Sequence, residues 1–148
     1  MPSWAEFEAA QPDFAARVRR LMESRKHLTM ATLRRDGSPR ISGTEVQFAG
    51  GQLRIGSMPN AVKARDLLRD GRVAIHGPTT DPPDEDPNAW VGEAKIAGRA
   101  LALDSADDSH SFAIDIDEAV VTSLDQNKSR LVVESWNPRR GYERFERD

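Results

Sequence analysis

Four short β-rich runs separated by glycine-bearing reversals, with one helix inserted before the last, constrain this chain more than any other feature. Residues 27–33 (HLTMATL) read as a strand that Asp36-Gly37-Ser38-Pro39 turns back into residues 40–48 (RISGTEVQF). Ala49-Gly50-Gly51 reverses the chain again into residues 52–58 (QLRIGSM), and after Pro59-Asn60 the pattern becomes helical over 61–68. Residues 72–76 (RVAIH) return to strand. Asp-Gly and Gly-Gly between β-rich runs are hairpin signals, because glycine accepts the positive φ that tight turns need.

The rest of the chain extends this pattern. Residues 91–103 are long enough for a barrel strand, in which Gly98 marks a bend or a close backbone approach. Phe112, Ile114 and Ile116 alternate with Ala113 and Asp115, and Val120-Val121-Thr122 prolongs or follows that strand. Leu131, Val133 and Ser135 alternate with Val132, Glu134 and Trp136. The expectation is a mainly β chain of six or seven strands with one helix after the third. That order suits an antiparallel barrel flanked by helices better than a regular βαβ sheet. Upstream, the segment reads as a helix pair or a broken helix: Ser3-Trp4-Ala5-Glu6 fits a capping box, and Pro12 is tolerable only as the first residue of a new turn. Phe14, Val18, Leu21 and Met22 share one face of that helix, while Arg17, Arg19, Arg20 and Glu23 face water. A single domain follows, with a helical segment at 1–25, a barrel over 27–137 and a tail at 138–148.

Composition narrows the function. With 148 residues, 38% hydrophobic and 30% charged, the chain can build one core. A net charge of −3 without a basic block gives no general attraction to nucleic acid. There is no cysteine, hence no disulfide framework and no thiolate nucleophile. No run is apolar enough for a membrane span or a leader, and a cytoplasmic protein is expected. His27, His76 and His110 are scattered without metal-ligand spacing, so no metal site is expected. Neither a G-x-S-x-G elbow nor a G-x-G-x-x-G fingerprint is present. His76 reads as a structural histidine or as a proton donor to a reduced product. Between Pro78 and Asn88, four prolines and four acids make a solvated loop, either a plain connection or a lid.

The candidate site lies around the inserted helix. The turn Met58-Pro59-Asn60 leads into that helix, so free N–H groups and the positive dipole end lie beside Ser57 and Lys63. Lys63, placed about one turn in, can reach an anion held there. Arg40, Ser42 and Thr44 share one face of the second strand by period-2 alternation. An arginine fork binds phosphate in a bidentate manner, and the hydroxyls suit ribityl or phosphate oxygens. Taken singly, Arg40 and Lys63 also fit ordinary surface charges, and Ser42 and Thr44 fit a polar sheet face.

The order of these motifs resembles the FMN-binding split barrel of the pyridoxamine 5′-phosphate oxidase-like superfamily, which includes flavin/deazaflavin oxidoreductases. The resemblance rests on Asp36-Gly37-Ser38-Pro39, Arg40-Ile41-Ser42-Gly43-Thr44-Glu45, Gly56-Ser57 and Lys63-Ala64-Arg65-Asp66-Leu67, and more weakly on residues 93–100 and Trp136-Asn137-Pro138. It implies a split β-barrel and cofactor contacts from Arg40, Ile41, Ser42, Thr44, Gly56, Ser57, Lys63 and Trp136. It further implies FMN or, alternatively, coenzyme F-420, hydride transfer to a small organic substrate, and a homodimer with the cofactor at the subunit interface. A non-catalytic flavin, haem or tetrapyrrole binder is the alternative function. Trp136 and Arg144 match residues that reach the flavin from the partner subunit, although Trp136 fits a core or interface aromatic equally. The R-x-H-D stretch of true pyridoxamine phosphate oxidases is missing, and Val62 stands where they carry an arginine before the lysine. No catalytic side chain is assigned, since the cofactor ring would carry the chemistry.

Overall fold

In the computed structural model, which describes residues 1–125, 127 and 130–147, two helices precede a largely antiparallel β-structure. Helix α1 is Trp4–Ala10 and α2 is Pro12–Met22. Ser3 and Glu6 form the reciprocal capping box, and Pro12 opens α2. The strands are β1 Leu28–Leu33, β2 Pro39–Thr44, β3 Val46–Ala49, β4 Gln52–Ser57 and β5 Arg72–His76, with α3 Val62–Arg69 between the last two. They continue as β6 Glu93–Leu103, β7 His110–Leu124, β8 Leu131–Asn137 and β9 Gly141–Arg147.

Nine strands among the described residues exceed the expected six or seven, for two local reasons. The run 40–48 is not one strand. It breaks at Glu45, after which β2 pairs with β1 while β3 pairs with β4. The segment expected as a C-terminal tail forms β9 against β8, from Asn137↔Gly141 to Leu131↔Arg147. Six of the seven β9 residues are exposed, so it lacks the apolar alternation by which a strand is recognised.

The hydrogen-bonded order β2-β1-β5-β6-β7-β4-β3 explains the opening of the barrel. Strand β7 pairs with β4 over residues 110–114 and with β8 over 119–124, so its partner changes midway. At the change the register with β6 shifts between Ala97 and Gly98. Only glycine fits there, because a Cβ on Gly98 would overlap the Asp115 carbonyl. The bulge also moves the buried face of β7 from Phe112, Ile114 and Ile116 to Ala119 and Val121.

Helices α1 and α2 close the core. Phe7 is fully buried, with its ring 4.7 Å from Trp136 and 5.2 Å from Trp4. Phe14, Val18 and Met22 form the buried face of α2, with Leu21 at its margin. Arg17 departs from the expected water-facing row. Its two η nitrogens donate to the Glu134 carboxylate at 2.8 and 2.7 Å, and Tyr142 Oη donates to Glu134 Oε1 at 2.5 Å. Burial works against ionisation of Glu134, but the hydrogen bonds from Arg17 and Tyr142 hold its carboxyl below the usual range. Burial and the same carboxylate push Tyr142 up to about 12.

The second buried carboxylate, Asp66 on α3, is 2% exposed. It accepts from Thr32 Oγ1 on β1 at 2.7 Å, from Arg40 Nε on β2 at 2.7 Å, and from Arg69 Nη2 at 2.9 Å. Burial raises its pKa, and the bonds from Arg40, Thr32 and Arg69 more than reverse that shift. Removing one partner of such a buried pair strands the others, so Asp66→Ala should cost about 3 kcal/mol near neutral pH. Because the folded pKa lies below the unfolded one, this stabilisation is complete above the unfolded value of about 4 and is lost as pH falls through the folded value. Urea unfolding of wild type and variant at about pH 7 and about pH 3 checks both points, with a smaller difference expected in acid.

Candidate functional site

Strand β4 leaves the sheet through a tight turn that positions the start of α3. Ala61 N donates to Met58 O at 3.2 Å, and Asn60 takes a positive φ of 61°, which Asn tolerates. Helix α3 opens at Val62, so Lys63 is its second residue and not a full turn inside it. No side chain caps this end, and the leading N–H groups lack the usual partner.

Beside the turn lies a cleft of about 860 Å³, within the size range of cofactor pockets. Thr44, Gly56, Ser57 and Lys63, all expected from the sequence, line it together. Lys63 reaches across to β2, where Nζ donates to the Gly43 carbonyl at 2.7 Å. An ammonium has three donors, so this bond fixes its position and leaves two. The Ser57 hydroxyl is buried without a hydrogen-bond partner among the described residues. Thr44, 5% exposed, donates to Glu45 O at 3.3 Å and keeps its acceptor lone pairs. A phosphate group fits this donor set: an ammonium with free protons, an unanswered hydroxyl and an uncapped helix start.

Four expected contacts lie elsewhere. Arg40 faces inward with Ser42 and Thr44, as the alternation requires, but its guanidinium is held by Asp66 and does not line the cleft. Ser42 faces the same interior, with a buried hydroxyl that has no partner among the described residues. Ile41 points the other way and is 75% exposed. Trp136 is 5% exposed and packed on Phe7 in the core of its own chain. Arg144 pairs with Glu146 at 3.2 Å on the exposed strand β9. His76 Nδ1 lies 2.6 Å from Gly77 O and its Nε2 3.6 Å from Glu93, away from the cleft.

The cleft also contains residues that motif reading passed over. His27 and Glu45 approach each other to 3.8 Å at its margin. Gln47 and Arg54 stand opposite each other on β3 and β4, and Ser111 stands opposite Gly56 on β7. The signal for Arg54 was present: it shares the β4 face with Gly56, one alternation earlier. Nothing in the sequence shows which face of β4 borders a cavity.

The family model described as pyridoxamine 5′-phosphate oxidase matches residues 14–137. The chain belongs to the pyridoxamine 5′-phosphate oxidase family. Solved structures of similar architecture include a pyridoxamine 5′-phosphate oxidase-related, FMN binding protein from Nostoc punctiforme, with 12% identity over 93% of this chain and 96% of that one at a TM-score of 0.64. PhzG from Burkholderia lata, solved with tetrahydrophenazine-1-carboxylic acid, has 11% identity over 93% and 87%, with a TM-score of 0.62. HutZ from Vibrio cholerae, a heme storage protein, has 14% identity over 72% and 89%, with a TM-score of 0.55. At such identities the shared property is the fold. No curated protein matches the sequence.

Gly56 keeps the middle of the cleft bare. A Cβ there would meet only His110 O, at an ordinary 3.6 Å, so a larger side chain would project into the cleft without disturbing the sheet. Gly56→Leu should therefore keep its melting temperature within about 3 °C of wild type, which thermal melts of the two proteins check.

Proposed function

We propose that this protein binds FMN, or alternatively the deazaflavin coenzyme F-420, in the cleft at the start of α3 and catalyses hydride transfer between that cofactor and a small organic substrate. The observation that carries this reading is the fixed Lys63 ammonium beside the unanswered Ser57 hydroxyl and the uncapped helix start. Membership of a family with an FMN-binding structural neighbour supports it. When bound, the flavin or deazaflavin ring supplies the hydride chemistry. Lys63 and Ser57 hold the phosphate, Thr44 offers acceptor lone pairs to hydroxyls of the cofactor chain, and Gly56 leaves room for a flat ring. Absence of the R-x-H-D stretch speaks against pyridoxamine 5′-phosphate as the substrate.

The functional unit in this reading is a homodimer with the cofactor between the subunits. Its support is the exposed apolar surface at Met58 and Val62, 78% and 49% exposed beside the cleft, which a second copy would cover. A two-fold interface would make two equivalent sites. Sedimentation should give a dimer; a stable monomer that binds one cofactor per chain with full affinity would remove this part.

A second reading, haem or tetrapyrrole binding without catalysis, has the heme storage neighbour and the placement of His27 at the cleft in its favour. A Soret band in the purified protein, together with no flavin binding, would select it.

The decisive variant is Lys63→Ala. Loss of a charge-assisted phosphate contact should weaken FMN binding by about 1.5–3 kcal/mol, or roughly one to two decades in Kd, with the fold intact. Riboflavin, which lacks the phosphate, serves as the control and should hardly respond. Equal losses for both ligands would mean that Lys63 shapes the pocket, and no loss for FMN or F-420 would remove the phosphate site.

A further inference from the structure

Half-buried bases in this protein are nearly all matched to acids. Arg17 has Glu134, Arg19 has Glu23, Arg40 has Asp66 and Arg130 has Glu146. Among the described residues, the two half-buried lysine or arginine side chains with no ion-pair partner are Lys63 and Arg54, and both line the same cleft. Arg54 therefore puts a positive charge that no acid of the chain neutralises onto the wall of the cleft, where an anion entering the cleft can meet it.

We propose that Arg54 forms a second anion subsite, which binds the carboxylate of the co-substrate. This rests on the cofactor reading above and assigns the substrate class of that site. Three observations support it. Arg54 Nε donates to Gln52 Oε1 at 2.8 Å, which orients the guanidinium and leaves its terminal nitrogens without a partner among the described residues. Along the outer face of β4, Arg54 is one alternation from Gly56, about 7 Å, on the side away from Lys63. A flat ring over Gly56 with its phosphate at Lys63 would thus leave Arg54 beyond it. Finally, the Gln47 amide stands directly opposite Arg54 on β3 and supplies a neutral donor at this end, while the Ser111 hydroxyl stands opposite Gly56 on β7, beside the middle of the cleft. FMN has a single phosphate, which Lys63 takes, so the Arg54 fork is free for a second molecule. A planar fork suits a planar carboxylate better than it suits a point charge.

The test is calorimetric titration of the full chain, flavin-loaded and unloaded, with benzoate and its neutral isostere benzamide, for wild type and Arg54→Met. The loaded wild type should bind benzoate at least about tenfold more tightly than benzamide. Arg54→Met should abolish that preference while FMN and F-420 affinities stay within about twofold, and Arg54→Lys should restore part of it. If Arg54→Met does not fold, Arg54→Gln is read in the same way. Equal binding of benzoate and benzamide by wild type would overturn the proposal, as would a preference that survives in the variant. Loss of FMN or F-420 affinity in Arg54→Met would place the anion on the cofactor itself and overturn it too. A benzoate preference in unloaded protein that binds no flavin would sink the cofactor reading and leave the Arg54 subsite standing.

Discussion

The geometry of the cleft depends on one buried carboxylate. Asp66 lies on a helix of eight residues that has no side-chain cap. A helix this short has little stability of its own, so its position must be imposed from outside. Thr32 and Arg40 stand opposite each other on β1 and β2, and both reach Asp66 at 2.7 Å. Arg69 closes the set from the helix itself. With Ala64 and Leu67 packed into the core, this bonding fixes both the rotation and the height of α3. Lys63 precedes Asp66 by three residues and therefore rises on a neighbouring part of the helix surface, one turn nearer the start. Its contact with Gly43 is the second pin, again onto β2. A carboxylate this deeply buried would be costly without its three donors, and with them it sets where the ammonium stands.

This changes the role of Arg40. Alternation along β2 correctly puts it on the face with Ser42 and Thr44, and an arginine there invites assignment to a phosphate. Its Nε is instead committed to Asp66, so it acts on the cleft by holding α3. The acid that claims it lies 26 residues later, on a helix whose packing direction period-2 arithmetic cannot supply. Glu134 and Arg17, separated by 117 residues, repeat the lesson. In its own segment Arg17 reads as a solvent-facing charge, yet together with Glu134 and Tyr142 it ties α2 to β8 and β9.

The fold was more legible than the site because its signals are local. The Gly50-Gly51 reversal, the Ser3–Glu6 box, the start at Pro12 and the run 72–76 each depend on a few adjacent residues, and all appear where the pattern puts them. What escaped was set by pairing. The break at Glu45 exists because β2 and β3 join different neighbours, which no property of the run 40–48 announces. Residues 120–122 prolong β7, but the buried set changes parity at the bulge, so a strict alternation count loses the strand there. Trp136 faces Phe7 because α1 folds back over the barrel, with Ala5 N donating to Gly51 O at 2.9 Å. A late tryptophan in a family-like position is thereby diverted into the core.

The cleft itself divides into parts with different chemical freedom. At the α3 end, position is set by backbone: a turn, a helix start and a carbonyl that holds an ammonium. Such a site recognises an anion through fixed donors and says little about what is attached to it. The middle is the bare strand at Gly56, a surface that accepts any flat ring that fits. The far end is lined by the facing side chains of Gln47 on β3 and Arg54 on β4, and Ser111 of β7 stands beside the bare middle. Solved relatives with 11–14% identity, one described as FMN binding, one holding a phenazine carboxylic acid and one storing heme, share the architecture while differing in what they hold. That pattern is what a common scaffold with a variable lining produces. In the reading proposed for this chain, discrimination among acceptors would belong to the Arg54 end, and the strength of cofactor anchoring to the end that Asp66 keeps in place.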